Sequence, residues 1–230
     1  MNKRIQRLGI GLALMGLVFF AAGGFTLYKT QQGASALQTF SAAQNVTLTY
    51  NADGQLADSK GDTEEATAVM GLLTNDWGYT VDKSELNPND PVVNTGSEYM
   101  YQMATVAYHT LHGTQTVVLD EDFTAPDGTV YTAGTPYDVP VAGRYWSQFD
   151  RTNPIDAAVR EQAWTGTAHA LIGELGVGTV TASTLQLGLG MAGLFAGIGL
   201  TFVIAGLGLV WAARPEKVKV PALQPVATPA

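Results

Sequence analysis

Two long runs of apolar residues dominate the hydrophobic pattern of this chain, one near each end. Residues 8–28 (LGIGLALMGLVFFAAGGFTLY) and residues 185–213 contain no charged side chain. At about 1.5 Å of rise per residue, roughly 20 apolar residues cross a hydrocarbon core of about 30 Å. Both runs are long enough, and the pattern therefore predicts two transmembrane helices. The first run could instead belong to a signal peptide cleaved near residues 34–36 (ASA), but such apolar segments are shorter, about 7 to 15 residues.

Basic residues flank the two runs on the sides that face the chain ends. Cytoplasmic flanks of membrane spans collect Lys and Arg, so residues 1–7 and the proline-rich tail 214–230 are predicted to be cytoplasmic, at the plasma membrane. The segment between the spans, residues 29–184, is then extracytoplasmic. The flanking basic residues are Lys3, Arg4, Arg7, Arg214, Lys217 and Lys219.

Helix signals recur in the outer segment. Asp62 is placed to cap a helix that turns Val69, Leu72 and Leu73 inward, because a carboxylate before the first turn accepts its free N–H groups. Ser97 is predicted to cap a second helix that ends at Gly113. A third begins with proline at its first position, Pro154, and is expected to end at Gly176.

Strand signals lie between these helices. Residues 45–56 read as a strand and a turn at Asp53-Gly54, residues 84–98 as an ordered loop, and residues 116–141 as a hairpin that turns at residues 126–128 (PDG). The predicted fold class is a membrane protein in which two transmembrane helices flank an α+β domain with a β-hairpin and about three helices.

Charge changes the picture of the outer segment. The chain has 12 lysine and arginine residues and 20 aspartate and glutamate residues. All but one of the acidic residues lie between residues 30 and 184. Such a surface repels nucleic acid and suits cations or a basic partner. The chain has no cysteine, so neither disulfides nor thiolate chemistry is available.

The glycines of the second span spell a nucleotide-binding pattern, GLGMAG, at residues 188–193. Because that pattern needs a strand before it and an acidic residue after it, we predict no nucleotide there. Small residues let membrane helices approach closely, and the spacing therefore predicts a helix-packing role. The predicted packing residues are Gly188, Ala192, Gly193, Ala196 and Gly197.

The helix before Gly113 holds soft metal ligands. Met100, Met103, His109 and His112 could suit copper. At about 100° per residue, the methionines and the histidines face away from each other. His109 and His112 stay as a candidate metal pair that would need ligands from elsewhere.

An acidic run in the predicted hairpin invites a calcium interpretation, although it lacks the spacing of an EF-hand loop. The alternative is a solvated approach to a turn. We find no assembled catalytic set and expect neither an enzyme nor a resident cofactor, with copper and calcium as alternatives. The candidate cation ligands are Asp120, Glu121, Asp122 and Asp127.

Three segments carry a resemblance to a known group: residues 4–24 (RIQRLGIGLALMGLVFFAAGG), 109–113 (HTLHG) and 181–200 (TASTLQLGLGMAGLFAGIGL). They resemble the small two-span actinobacterial membrane proteins that often carry the label of an aromatic ring-opening dioxygenase. The likeness covers the two spans and parts of two outer helices. It implies the two-span topology. The label also implies iron ligands and a dioxygenase fold, which this sequence does not display.

Two glycine-rich spans, an acidic outer domain and no catalytic set favour a non-catalytic accessory subunit of a larger membrane complex, such as an oxidoreductase or a metal-dependent monooxygenase. Its partners would be other integral membrane subunits and the lipid bilayer, with no nucleic acid or nucleotide. The alternatives are a membrane-anchored module that binds a cation or another ligand outside the cytoplasm, and a homo-oligomeric membrane protein.

Overall fold

The computed structural model describes residues 2–214, and the predictions for the tail beyond residue 214 lie outside them. The chain divides into two compact units. The apolar unit contains the chain up to residue 31 and the chain from residue 187 onward, and the outer unit contains residues 32–186.

Two long helices carry the apolar runs: α1 (Asn2–Gln44) and α5 (Gly166–Ala212). Both are long and apolar enough to cross a membrane. Their most apolar windows are only 17% and 11% buried within the protein. Exposed apolar surface on this scale is uncommon on soluble proteins and is compatible with lipid contact.

The predicted end of a helix at Gly176 is wrong. The chain breaks at Trp164, after α4 (Pro154–Ala163), and α5 then runs through Gly176 without interruption. Gly178 in this part of α5 serves close packing, since a Cβ atom on it would lie 2.5 Å from the Tyr99 ring. The predicted start at Pro154 is confirmed, with Asn153 as the cap.

The helix predicted after Asp62 is confirmed as α2 (Thr63–Gly71), which continues as one π-helical turn over Leu72–Asp76. The Glu64 amide donates to Asp62 Oδ1 at 2.9 Å. The three residues predicted to face inward are all buried: Val69, Leu72 and Leu73.

The second predicted helix is α3 (Gly96–His112), and it ends at Gly113 as expected. Its cap is Thr95 and not Ser97. Glu98 Oε2 accepts hydrogen bonds from the amides of Asn94 and Thr95, which completes a reciprocal capping box. Ser97 is buried, and its hydroxyl accepts a hydrogen bond from the Asp82 amide.

The predicted hairpin is confirmed as two antiparallel pairs: β1 (Thr114–Val118) with β4 (Pro136–Pro140), and β2 (Phe123–Thr124) with β3 (Val130–Tyr131). Gly128 has φ +87° in the inner turn, where a glycine meets no steric penalty.

Residues 45–56 do not form a full strand. They make isolated bridges, Thr47 with Val92 and Tyr50 with Leu56, and the chain turns near Gly54. Val92 belongs to the loop that links the π-helical turn to α3, so this segment pairs with that loop and no regular ladder extends from it.

Two buried clusters form the core of the outer unit, and α3 supplies residues to both. Leu111 of α3 packs with Val117 and Val159 in one cluster, while Ala104 packs with Val69 in the other. Helix α3 therefore presents one side to the hairpin and α4, and another side to α2.

Candidate functional site

Small residues on α1 and α5 recur every seventh position, and the residues of this series are buried. A seven-residue repeat keeps one face of a helix against a partner over several turns. Because the order along one helix runs opposite to the order along the other, the two helices pair antiparallel. The α1 positions are Gly9, Gly16 and Gly23, and the α5 positions are Ala192, Gly199 and Gly206.

The helices approach backbone to backbone along this series. A Cβ atom on Gly9 would lie 2.6 Å from the Gly206 carbonyl oxygen, and one on Gly16 would lie 2.7 Å from the Gly199 carbonyl oxygen. Real Cβ atoms do not come this close to a neighbouring backbone. The pairing therefore depends on glycine, as membrane helix contacts commonly do.

The five predicted packing residues fall into two groups. Gly188 faces Thr30 of α1, and the backbones of Ala192 and Ala196 lie 3.1 Å from the position of a Cβ atom on Gly23. By contrast, Gly193 and Gly197 are exposed, and no atom of the described chain lies within 4 Å of a Cβ atom on either.

Two further glycines of α5, Gly190 and Gly208, are open in the same way as Gly193 and Gly197. At about 100° per residue, the four glycines lie on one face of α5, roughly 160° around the helix from the face that contacts α1. We call this set the open glycine face. It consists of Gly190, Gly193, Gly197 and Gly208, each with no described atom within 4 Å of a Cβ atom.

The sequence pattern on α5 predicts the open G-x-x-x-G and three residues that contact α1, Gly188, Ala192 and Ala196. The seven-residue series shared by α1 and α5 is not among the predictions, because they rest on the small residues of α5 alone. The signal was present in both spans. Gly9, Gly16 and Gly23 are spaced by seven residues, as are Ala192, Gly199 and Gly206.

In the outer unit, His109 forms a hydrogen bond with Glu65. The Nε2 and Oε1 atoms are 2.5 Å apart, and the contact joins α3 to α2. Both side chains line a cleft of about 430 Å³, together with Asp58, Lys60 and Tyr101. This volume lies within the usual range for small-ligand sites.

Helix α3 carries buried titratable groups, of which Tyr101 lines the cleft. Tyr101 is 6% exposed, and burial, followed by the charge of Glu65, raises its pKa to about 12. Glu98 is buried on the same helix, and its burial raises its pKa. In the described chain no hydroxyl group donates to His109, so the cleft offers a histidine–carboxylate pair without a nucleophile bonded to it.

His109 and His112 contact different partners. His112 Nδ1 lies 2.9 Å from the Tyr108 carbonyl oxygen, and its ring stacks on Tyr108 at a centroid distance of 4.1 Å. Within residues 2–214, no group of three or more His, Asp or Glu side chains is arranged to hold a metal ion. Met100 and Met103 pack against the core.

The acidic residues of the hairpin take part in its turns. The Ala133 amide donates to Asp122 at 2.8 Å, and the Thr129 amide donates to Asp127 at 2.9 Å. The hydrogen bonds from Thr129 lower the pKa of Asp127. Asp120 and Glu121 are exposed beside them.

No family model, curated protein or solved structure matches this chain. The resemblance to two-span actinobacterial proteins therefore stays a prediction. The function has to be argued from the glycine faces and the outer unit themselves.

Proposed function

We propose that this chain is a non-catalytic accessory subunit of a larger membrane complex, and that α5 packs against an integral membrane helix of another subunit through its open glycine face. The observation that supports this proposal is the separation of the α5 glycines into two faces. One face contacts α1, and the other contacts nothing in the described chain.

The physical argument rests on the cost of glycine. In a helix interior, glycine is about 1 kcal/mol less favourable than alanine. The glycines that contact α1 offset this cost by allowing close backbone packing. Gly193 and Gly197 have no such contact within the described chain, and a neighbouring membrane helix at that face would supply it.

In this proposal both chain ends are cytoplasmic, and the acidic outer unit covers the extracytoplasmic side of the complex. The basic residues Lys3, Arg4 and Arg7 before the first apolar run support that orientation. An oxidoreductase or a metal-dependent monooxygenase would suit an acidic cover, because a negative surface attracts cations. The remaining partner is the bilayer, with no nucleic acid or nucleotide.

The experiment is co-purification from the native membrane in mild detergent, followed by native-size analysis and mass spectrometry. The test variant combines Gly193→Leu with Gly197→Leu. The matched controls are Gly11→Leu, which is equally open on α1, and Ala205→Leu, which is exposed on α5 about 80° or more around the helix from Gly193 and Gly197.

We expect the wild type and both controls to bring a stoichiometric set of membrane subunits, and the test variant to lose them. Recovery of the same subunits with the test variant would overturn the proposal. A wild type that purifies only with copies of itself would replace it with the homo-oligomer alternative.

A further inference from the structure

An open apolar pocket of about 290 Å³ lies in the outer unit, separate from the cleft at His109. No polar surface lines it. Helix α3 forms its floor, and aromatic rings from three other segments form its walls. The lining residues are Trp77, Met103, Ala107, Tyr145, Trp164 and Ile172.

Hydrogen bonds fix the aromatic walls. Trp77 Nε1 donates to Tyr145 Oη at 2.8 Å, and Trp164 Nε1 donates to the Arg144 carbonyl oxygen at 3.0 Å. The Tyr145 and Trp164 rings stack with their centroids 5.8 Å apart. Both indole donors are satisfied inside the protein, so the pocket has fixed ring surfaces and needs no polar group from a ligand.

These features narrow the chemistry of a ligand. A sugar needs several hydrogen-bond partners, and the lining has none to offer. The faces of aromatic rings attract organic cations, but no acidic residue lines this pocket to offset the positive charge that lies near it. Instead, Arg160 places its guanidinium 3.9 Å over Trp146, whose ring contacts His169, and His169 contacts Trp164.

An uncharged aromatic ring matches this apolar, ring-lined pocket, because pairs of aromatic rings gain about 0.5–1.5 kcal/mol beyond the contribution of their buried area. We propose that this pocket binds the aromatic ring of a small uncharged molecule. The inference does not depend on the proposed packing of α5, since all the lining residues belong to the outer unit.

The test uses the full-length chain in lipid nanodiscs with ¹⁵N-labelled tryptophan. The sequence has 4 tryptophans. Their indole N–H signals report separately on Trp77, Trp146, Trp164 and Trp211. The probes are p-cresol and 4-methylcyclohexanol, which have the same heavy-atom skeleton with and without an aromatic ring. Trp211, in the apolar run of α5, reports probe that partitions into lipid.

We expect saturable shifts of the Trp77 and Trp164 signals with p-cresol, at an affinity about two- to tenfold above that for 4-methylcyclohexanol. Equal affinities, no saturable shift, or a shift confined to Trp211 would each overturn the proposal.

A second arm blocks the pocket. Ala107 is 1% exposed at the floor, and Ala107→Leu should fill the space and weaken p-cresol binding by about tenfold or more. Thr105→Leu adds comparable bulk to the same helix in the other cleft and should leave p-cresol binding unchanged. Equal binding by both variants would contradict the assignment. If Ala107→Leu fails to fold, the comparison of p-cresol with 4-methylcyclohexanol on the wild type still tests the proposal.

Discussion

A Cβ atom on Gly16 would lie 2.7 Å from the carbonyl oxygen of Gly199, so α1 and α5 meet at this point with no room for a side chain. The relation is reciprocal, because a Cβ atom on Gly199 would lie 2.8 Å from the carbonyl oxygen of Gly16. The opposed atoms are backbone and cannot rotate away. A substitution here must move one helix.

Gly16→Ala should therefore weaken the α1–α5 pairing by about 1–3 kcal/mol, the usual cost of overpacking. The better helix propensity of alanine, about 1 kcal/mol, offsets only part of it. Because the chain has no cysteine, nitroxide labels at Gly11→Cys and Gly208→Cys can report the separation of the helices by electron paramagnetic resonance. Both positions are open.

In that experiment, Gly16→Ala should lengthen or broaden the distribution of label distances. Gly24→Ala is the matched control, because no described atom lies near a Cβ atom at Gly24. The same distribution for Gly16→Ala and the wild type would contradict the backbone contact.

Glu98 should make the stability of the outer unit depend on pH. Its burial raises its pKa, so the folded protein binds this proton more tightly than the unfolded chain does. The tighter proton binding stabilises the folded state. This stabilisation is fully present below the ordinary pKa of a glutamate and is lost as the pH rises through the raised pKa of Glu98.

Glu98→Gln keeps an oxygen for the capping amides and cannot ionise. Its free energy of unfolding, relative to that of the wild type, should therefore increase from pH 4 to pH 7. Thermal unfolding followed by near-ultraviolet circular dichroism measures this, with the exposed Glu121→Gln as the control. A difference in the free energy of unfolding between Glu98→Gln and the wild type that stays constant from pH 4 to pH 7 would refute the prediction.

Two tyrosines of the outer unit, Tyr50 and Tyr99, offer a matched pair. Tyr99 Oη lies 2.7 Å from Ser41 Oγ, whereas Tyr50 Oη is buried and has no hydrogen-bond partner within the described chain. Tyr99→Phe should reduce the free energy of unfolding by about 1 kcal/mol. Tyr50→Phe should be neutral or stabilising, because it removes a buried hydroxyl without a partner. Chemical denaturation of both variants should rank them in this order, and the reverse order would count against these contacts.

Glu85 ties the loop before α3 to two helices. One carboxylate oxygen accepts a hydrogen bond from the Ser97 amide at 2.7 Å, and the other accepts one from Gln186 Nε2 at 2.6 Å. Glu85→Ala should cost about 1–3 kcal/mol and speed amide hydrogen exchange in residues 82–90. Glu64→Ala, on an exposed position of α2, is the control. Unchanged exchange in Glu85→Ala would mean that the loop is held by other contacts.

The sequence predicts elements whose signals are local. Asp62, Pro154 and the turn at Gly128 each satisfy a backbone requirement within a few residues. The cap of α3 also has a local signal, since Thr95 and Glu98 have the spacing of a capping box, but Ser97 is equally a capping residue type and competes with Thr95 in the prediction.

Features that depend on long-range register were not readable. The pairing of His109 with Glu65 requires α2 and α3 to lie side by side, 44 positions apart along the chain. The continuity of α5 through Gly176 also depends on tertiary contacts, because Gly178 needs the Tyr99 ring against it to offset its helix cost. Local propensity alone favours a helix end there.

The most direct measurement of the packing role is photocrosslinking in native membranes, with p-benzoylphenylalanine in place of Gly193. Ala205, exposed on α5 about 120° around the helix from Gly193, is the comparison position. A discrete adduct with another membrane protein from position 193, reduced by Gly197→Leu and absent from position 205, is the predicted result. Adducts with lipid alone from both positions would contradict the packing of α5 against another subunit.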